Sequence, residues 1–342
     1  MSSFDGLFSL VDSLLGQPAS TWLREHVEVP EGLLRFSWHE QALHRVWLAE
    51  ALNLCLLHKL VEAVPDGRRY VEEQARQGRK VEFDHGAIRT VDWPTNGELP
   101  RGRQAFARLL EPLGFTDVRT YPLTKLSMTG WGYRQMDLPE DIAQFFVSEL
   151  HPGRFSEAFQ QAVTRVVSSS LDPLQAEHHS ILQRLSLTRH CSLAEAHTLL
   201  PALYQAFGRQ HGVVQEADYQ CLLSESAEMA WIATEGNSFN HLTDRVADLE
   251  ACVAQQRDLQ RPMKDSIEVS ASGRVMQTAY RACTVKRGLV DSTGVYREHA
   301  VPWSFVEFIQ RKVDPDTGRI DLNFDSSNAQ GIFKMTDSKA CP

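Results

Sequence analysis

One order of predicted elements occurs twice in this chain of 342 residues, and that repeat constrains the fold more than any other feature. The first copy begins at Val81, where VEFDHGAIRTVDW is rich in β-branched and aromatic residues and predicts a strand. A helix is expected at 101–111, and strands follow in FTDVRTYPL, SMTGWGYRQMD and AQFFVSEL. The order is strand, helix, strand, strand, strand, abbreviated here as βαβββ.

The second copy begins near residue 238. SFNHLTDRV predicts a strand and VADLEACVAQQRDL a helix. One or two strands with a turn at Ser272-Gly273 are expected in 267–285, and HAVPWSFVEFIQRKV predicts one final strand. Paired βαβββ modules close around a shared cleft, so we expect a ligand site between the two copies.

The rest of the chain is predicted to be largely helical. Apolar residues recur at helical spacing in the N-terminal region, with a break at Asp66-Gly67, and again between Phe155 and Ile232. We therefore predict an α+β protein in five parts, which are an N-terminal helical region (1–79), a first module (80–154), a helical insertion (155–233), a second module (234–314) and a C-terminal segment (315–342).

A histidine motif, FxHxxxR, lies at the start of both copies. It comprises Phe83, His85 and Arg89 in the first strand of one copy, and Phe239, His241 and Arg245 in the first strand of the other. Residues i and i+4 of a strand face the same side, so each histidine and its arginine are expected to point into the same space. With Asp244 and Asp248 nearby, a structural salt bridge is the favoured interpretation of Arg245.

A third candidate ligand is Glu307, in the last predicted strand. Its neighbours Val306 and Phe308 are apolar, and a carboxylate there is costly unless it is paired or bound to a metal. Two histidines and one carboxylate on one face form the facial triad of non-haem Fe(II) oxygenases, which leaves metal positions open for a chelating substrate and O₂. Structural histidines and a solvent-facing glutamate are the alternative interpretation, and the spacing alone does not decide between them.

Composition and charge exclude some functions. The net charge of −9 argues against a general nucleic-acid or membrane-surface role, because both need clustered basic residues. None of the six cysteines lies in a CxxC pair, and the N-terminus lacks the pattern of a signal peptide. We therefore expect a cytoplasmic protein with reduced thiols and no membrane span, whose partners are small molecules.

Four segments together resemble the 2-oxoadipate dioxygenase/decarboxylase family: VEFDHGAIRTVDW, ATEGNSFNHLTDRV, MKDSIEVSASGRVMQTAYRA and VPWSFVEFIQR. The resemblance extends from the N-terminal helices to about Met335 and implies a vicinal-oxygen-chelate fold related to that of hydroxymandelate synthase. By this resemblance, His85, His241 and Glu307 are the ligands of Fe(II), and Arg89 binds substrate.

The same resemblance implies the reaction. A 2-oxo acid such as 2-oxoadipate would react with O₂, lose CO₂ and be hydroxylated to a 2-hydroxy acid one carbon shorter, such as 2-hydroxyglutarate. Arg89 would bind substrate oxyanions through its planar guanidinium, unless it forms a surface ion pair with Asp84 or Asp92. Gln277 is either a substrate hydrogen-bonding residue or a plain strand residue.

The C-terminal segment is expected to close the site, as a C-terminal helix does in related dioxygenases. Ser326 or Ser327 would cap such a helix, Ile332 and Phe333 would pack over the cleft, and Ser327 is a predicted substrate-binding residue. An ordinary amphipathic tail is the alternative.

Two other functions stay open at this point. One is a metal-dependent isomerase or lyase of the glyoxalase type, which usually has four protein ligands where we find three candidates. The other is a non-catalytic binding module that keeps the fold. The identity of the 2-oxo acid and the oligomeric state are left open as well.

Overall fold

The computed structural model describes residues 3–324. The α-helices of this part of the chain are α1 (Ser3–Leu15), α2 (Gln17–His26), α3 (Arg45–Ala63), α4 (Pro65–Arg76), α5 (Gln104–Leu110), α6 (Glu157–Val167), α7 (Ala176–Thr188), α8 (Leu193–Ala206), α9 (Glu216–Glu225), α10 (Ala227–Glu235) and α11 (Leu249–Asp258). The strands of the same residues are β1 (Leu43–His44), β2 (Phe83–Val91), β3 (Phe115–Leu123), β4 (Met128–Gln135), β5 (Gln144–Leu150), β6 (His190–Cys191), β7 (Phe239–Arg245), β8 (Glu268–Val269), β9 (Val275–Ala279), β10 (Thr284–Val290), β11 (Tyr296–Pro302), β12 (Phe305–Arg311), β13 (Val313–Asp314) and β14 (Arg319–Ile320).

The predicted α+β fold with two βαβββ modules is confirmed. The first module is β2-α5-β3-β4-β5 and the second is β7-α11-β8-β9-β12, and together they form one eight-stranded sheet in the order β3-β4-β5-β2-β7-β12-β9-β8. In each module the first strand pairs in parallel with the last, and the two first strands pair antiparallel at the centre. The strand order is therefore the same read outward from the centre in either direction, which brings β2, β7 and β12 side by side.

One part of the second module was predicted wrongly. The sequence around HAVPWSFVEFIQRKV indicated a single strand, but the structure has β11 and β12 there, separated at Trp303-Ser304. β10 and β11 form an antiparallel hairpin between β9 and β12 and do not join the main sheet. A continuous run of strand-forming residues does not show where the chain leaves one sheet for another, since that depends on the pairing partner.

Helices cover both faces of the sheet. Ile88 lies in an apolar core that includes α3 and α8, whereas its neighbour Ala87 lies in a second core that includes α6, α9 and α10. The alternation of side chains along β2 explains why adjacent residues enter different cores. Strand β2 is buried along its whole length, so polar side chains on it need partners or a ligand.

The predicted break at Asp66-Gly67 is wrong in position. Helix α3 ends at Ala63, and the interruption falls at Val64 because the proline after it disfavours helical backbone at that residue. Pro65 is the first residue of α4, which leaves Asp66 and Gly67 in its first turn. A Cβ at Gly67 would lie 2.7 Å from Val306, so the absence of a side chain lets α4 pack against β12.

Two β-bulges lie at the centre of the sheet, one beside each motif histidine. On β2, Asp84 is the extra residue between the pairs Phe83↔Asp244 and His85↔Thr243. On β7, the extra residue is Asn240, between Phe239 and His241. Bulges re-aim side chains locally, so they affect the histidines directly.

After the β13–β14 hairpin, residues 321–324 return to the cleft between the modules. The predicted lid residues Ser326, Ser327, Ile332 and Phe333 lie outside the described residues. The five predicted part boundaries remain predictions. Among residues 3–324, no helix combines the length and the apolar character that crossing a bilayer requires.

Candidate metal centre

The three predicted ligands lie together at the centre of the sheet. His85 is on β2, His241 on β7 and Glu307 on β12, and one donor atom of each lies within 4.8 Å of the others. Nε2 of His85 is 3.9 Å from Oε1 of Glu307, and Nε2 of His241 is 3.6 Å from Oε2. Metal–ligand bonds of about 2 Å would place neighbouring donors about 3 Å apart, so these pairs need to close by less than about 1 Å.

The chemistry of the donors fits a cation. Glu307 is fully buried and His241 is 5% exposed, yet within residues 3–324 neither carboxylate oxygen and neither ring nitrogen has a hydrogen-bond partner. Leaving such groups unpaired is costly, and a metal ion would be a partner for the carboxylate of Glu307 and for Nε2 of His241. Two imidazoles and a carboxylate suit Fe(II) among first-row metals.

Protonation in the absence of a cation follows from burial. Burial, together with the nearby Glu268 and Asp84, raises the pKa of Glu307 well above its ordinary value. Burial also lowers the pKa of His241 well below its ordinary value, and His85 and Arg89 act in the same direction. The imidazole is therefore in the neutral form that a metal requires, whereas the carboxylate needs a positive charge beside it to be stable.

His85 is oriented by its neighbour in sequence. Nδ1 of His85 lies 2.7 Å from Oδ1 of Asp84, which directs Nε2 towards Glu307 and the hydroxyl of Thr243, 3.1 Å away. Adjacent residues of a regular strand point to opposite faces, and the bulge at Asp84 brings the two side chains together. A carboxylate on one ring nitrogen fixes the tautomer that offers the other nitrogen to a metal.

Asp84 is the centre of a buried ion network. Arg311 donates two hydrogen bonds of 2.8 Å to its two oxygens, and Arg245 donates one from Nε at 2.8 Å. Burial alone would raise the pKa of Asp84, but Arg311 and Arg245 lower it well below its ordinary value. Arg245 therefore forms a salt bridge as predicted, although its partners are Asp84 and Glu82 and not Asp244 or Asp248.

His241 has a different environment. Its ring stacks on Phe305, with centroids 5.0 Å apart and planes 19° from parallel. Phe305 is on the neighbouring strand β12, directly opposite His241 in the parallel pair. An aromatic surface holds this imidazole in plane without fixing its tautomer.

Arg89 lies on β2 and is 1% exposed. Its guanidinium is over the ring of Trp231, 4.7 Å from the centroid. Burial lowers its pKa to about 10, an effect that Glu228 opposes, so it is positively charged at neutral pH. Of the two carboxylates considered as ion-pair partners of Arg89, Asp84 pairs with Arg311 and Asp92 with Arg101.

The other predicted substrate residues are placed as follows. Gln277 is 5% exposed and lies opposite Ile309 in the antiparallel pair of β9 and β12. Ile309 is two residues from Glu307 on one strand, so Gln277 shares the face of the metal ligand. Ser327 is outside the described residues.

Sequence reasoning missed three residues around the site: Asp84, Arg311 and Phe324. Arg311 had a detectable signal, because it follows Glu307 by four residues, as Arg89 follows His85 and Arg245 follows His241. Asp84 had none, since strand alternation places it on the wrong face. The Phe324 ring lies 4.8 Å from the His85 ring, a contact between residues 239 positions apart in the chain.

A second group of possible ligands, Asp92, Glu149 and His151, is a weaker candidate. Asp92 already pairs with Arg101 and His151, and Glu149 accepts a hydrogen bond from the backbone of Arg103. All three are partly exposed. These internal partners explain the group without an ion.

Three solved structures are similar to this chain in fold. A crystal structure described as a glyoxalase superfamily protein from Ralstonia eutropha JMP134 is 49% identical and has a TM-score of 0.90, over 94% of this chain and 99% of that one. Hydroxyglutarate synthase from Oryza sativa, in complex with 2-oxoadipate, is 16% identical with a TM-score of 0.66, over 89% of this chain and 97% of that one. The enzyme from Pseudomonas putida, also with 2-oxoadipate, is 17% identical with a TM-score of 0.54, over 98% of this chain and 74% of that one.

No protein with a curated description matches this chain. The model of one protein family, however, matches residues 41–323, which include both modules and the helical insertion. The matched region contains all three candidate metal ligands, Arg89 and Gln277. The chain belongs to the 2-oxoadipate dioxygenase/decarboxylase family.

Proposed function

We propose that this protein is an Fe(II)-dependent dioxygenase that converts a 2-oxo acid resembling 2-oxoadipate, with O₂, into CO₂ and a 2-hydroxy acid one carbon shorter. The observation that carries the proposal is the buried group of His85, His241 and Glu307 in a member of this family. Within residues 3–324, the imidazole of His241 and the carboxylate of Glu307 have no hydrogen-bond partner. Three protein ligands leave positions open for a chelating substrate and for O₂.

The overall reaction balances without a second organic substrate. Loss of C1 as CO₂, with conversion of C2 into a carboxylate, supplies two electrons. Hydroxylation of C3, the carbon next to that new carboxylate, supplies two more, and the four electrons together reduce one O₂. One oxygen atom enters the new carboxylate and the other enters the new hydroxyl group. When bound, Fe(II) would supply the coordination of the 2-oxo acid and the reduction of O₂.

The residues of the chain bind and orient. Arg89 is the proposed substrate-binding and catalytic cation, because it is buried, charged and on the same face of β2 as His85. Contact with the ring of Trp231 restricts the orientation of its planar guanidinium, which suits bidentate recognition of an oxyanion. Gln277 is proposed to hydrogen-bond the substrate from the opposite side. The substrate-binding role of Ser327 remains a prediction.

Exclusion of water is the other task of the pocket. Phe146 and Tyr121 line the first module beside Phe324, with ring centroids 5.1 and 5.9 Å from that of Phe324. An apolar enclosure strengthens the charge interactions inside it and limits side reactions of a reactive oxidant. These aromatic side chains leave the cleft suited to the carbon chain of a small acid.

A glyoxalase-type isomerase or lyase is the second candidate, because a 49% identical structure is described as a glyoxalase superfamily protein. Such sites usually hold the metal with four protein ligands. Within residues 3–324 the group at the centre of the sheet contains three. A dependence on O₂ separates the two functions.

The test is turnover of a panel of 2-oxo acids by protein loaded with Fe(II), with O₂ uptake, CO₂ release and product mass followed together. We expect equal amounts of O₂ consumed and CO₂ released, and a product heavier by two oxygen atoms than the aldehyde that simple decarboxylation would give. Product formation under strict anaerobiosis would favour the isomerase or lyase, and no O₂ uptake with any acid would overturn the dioxygenase. The Arg89→Lys variant should raise KM for the acid while Fe(II) binding is retained.

A further inference from the structure

Residues 321–324, called the strap here, cross the mouth of the cleft and contact both modules. On the side of the first module, Gln144 donates a hydrogen bond from Nε2 to the carbonyl of Leu322 at 3.2 Å, and the backbone N–H of Phe324 donates to the hydroxyl of Tyr121 at 3.0 Å. On the side of the second module, Arg311 donates from Nη1 to the carbonyl oxygens of Asp321 and Asn323 at 2.8 and 3.0 Å. The strap is thus fastened across the boundary between the modules.

The side chain of Phe324 enters the cleft beside the metal ligands. Its ring meets the ring of His85 edge to face, with centroids 4.8 Å apart and planes at 77°. Gly132 on β4 leaves room for it, since a Cβ at that position would lie 3.3 Å from the phenylalanine ring. Opening of the strap would withdraw this ring from His85.

Arg311 joins the strap to the metal ligand by a continuous set of hydrogen bonds. Its side chain is fully buried, with Nε and Nη2 bound to Asp84 and Nη1 bound to the strap. Asp84 in turn accepts from His85. The path from the strap to the imidazole therefore contains two side chains and no exposed group.

The geometry of a guanidinium makes this path stiff. Its donors lie in one rigid plane, so the group cannot follow a moving strap and keep both bonds to Asp84. If the strap left alone, Nη1 would lose two acceptors inside the protein, which is unfavourable. The position of the strap and the orientation of Asp84 are consequently linked in energy.

We propose that Arg311 is a positioning residue that couples closure of the strap over the cleft to the orientation of His85, so that a bound metal and a closed strap stabilise each other. The proposal rests on the proposed function only in assuming that His85 is a ligand of a metal ion. Arg245 provides a matched control, because it also binds Asp84 but directs its other hydrogen bonds to Glu82 and to the carbonyl of Glu140 and not to the strap.

The test is hydrogen–deuterium exchange of the peptide that contains 319–324, with and without Zn(II), which needs no turnover. In the unaltered protein we expect Zn(II) to slow exchange of the strap amides several-fold. In Arg311→Gln this protection should disappear, whereas Arg245→Gln should keep it. Both variants should bind Zn(II) about 10- to 100-fold more weakly, since each removes a partner of Asp84, so saturating metal is used throughout.

Arg311→Lys is the second variant, because it keeps the buried charge if the glutamine protein does not fold. One ammonium group cannot serve Asp84 and the strap in the geometry of the arginine, so protection should again be lost. Coupling is overturned if Zn(II) leaves strap exchange unchanged in the unaltered protein, or if Arg245→Gln loses protection as Arg311→Gln does. Failure of the unaltered protein to bind Zn(II) would instead overturn the metal site itself.

Discussion

The two histidines at the centre of the sheet occupy matching positions and are held by opposite means. His85 is bonded to a carboxylate that two arginines keep charged, whereas His241 is stacked on Phe305. Both lie beside a bulge, but the extra residue is Asp84 in the first module and Asn240 in the second. A repeated backbone arrangement can therefore present two ligands with different freedom, one fixed by charge and one held by packing.

This asymmetry has a consequence for a metal. The carboxylate beside His85 makes its imidazole a stronger donor and fixes Nε2 as the ligand atom. His241 can adjust its tautomer and tilt on the ring of Phe305. The first module is therefore expected to set the geometry of the centre and the second to accommodate it.

Removal of either histidine should have the largest effect on metal affinity, because both are proposed to be ligands. His85→Ala and His241→Ala should each weaken Fe(II) binding by more than the roughly 10- to 100-fold that loss of an outer hydrogen-bond partner costs. Anaerobic titration monitored by calorimetry measures this, and circular dichroism verifies the fold. Stoichiometric Fe(II) binding retained by either variant would show that the residue is not a ligand.

Asp84→Asn tests the ion network that holds His85. The amide keeps the shape of the carboxylate but leaves Arg311 and Arg245 without their buried counter-charge. We expect metal affinity to fall about 10- to 100-fold and the free energy of unfolding to fall by roughly 3–5 kcal/mol. Denaturant titration of the metal-free protein gives the second value, and a loss under about 1 kcal/mol would contradict the network described here.

Phe305→Leu tests the aromatic stack that holds His241. Leucine keeps an apolar contact and removes the aromatic stack, which is worth about 0.5–1.5 kcal/mol beyond area burial. Metal affinity should therefore fall only a few-fold, much less than in Asp84→Asn. An equal loss in the two variants would mean that the modules do not divide the work as proposed.

Glu50→Gln should leave metal affinity unchanged and alter only the pH dependence of stability. Burial, with Asp141 nearby, raises the pKa of Glu50 to about 8. Glu50 lines a cavity of about 170 Å³ together with Glu82, the partner of Arg245. Between the ordinary pKa and about 8 the folded protein keeps a proton that the unfolded chain releases, so stability should fall as pH rises through this window. Unfolding at pH 5 and pH 8 should show a smaller difference for Glu50→Gln, and an unchanged difference would exclude Glu50 as the source.

The two modules and the three candidate ligands could be predicted from the amino-acid sequence. Matched strands carry His85 and His241 in one motif, and Glu307 stands out as a charge in an apolar strand. These signals are local, because strand periodicity and apolar context operate over a few residues. The family resemblance added iron, Arg89 and the class of substrate, which spacing could not supply.

How those ligands are held depends on contacts that exist only in the folded protein. The bulge that turns Asp84 towards His85 interrupts the alternation expected of a regular strand. The strands β10 and β11 pair with each other outside the main sheet, which depends on their pairing partners. Arg245 on β7 forms an ion pair with Asp84 on the neighbouring strand β2. Arg311 contacts Asp84, and Phe324 contacts His85, from positions distant from them in the sequence. Such contacts arise when the chain closes on itself, and register, bulges and long-range ion pairs are set by the whole packed sheet and not by any one segment.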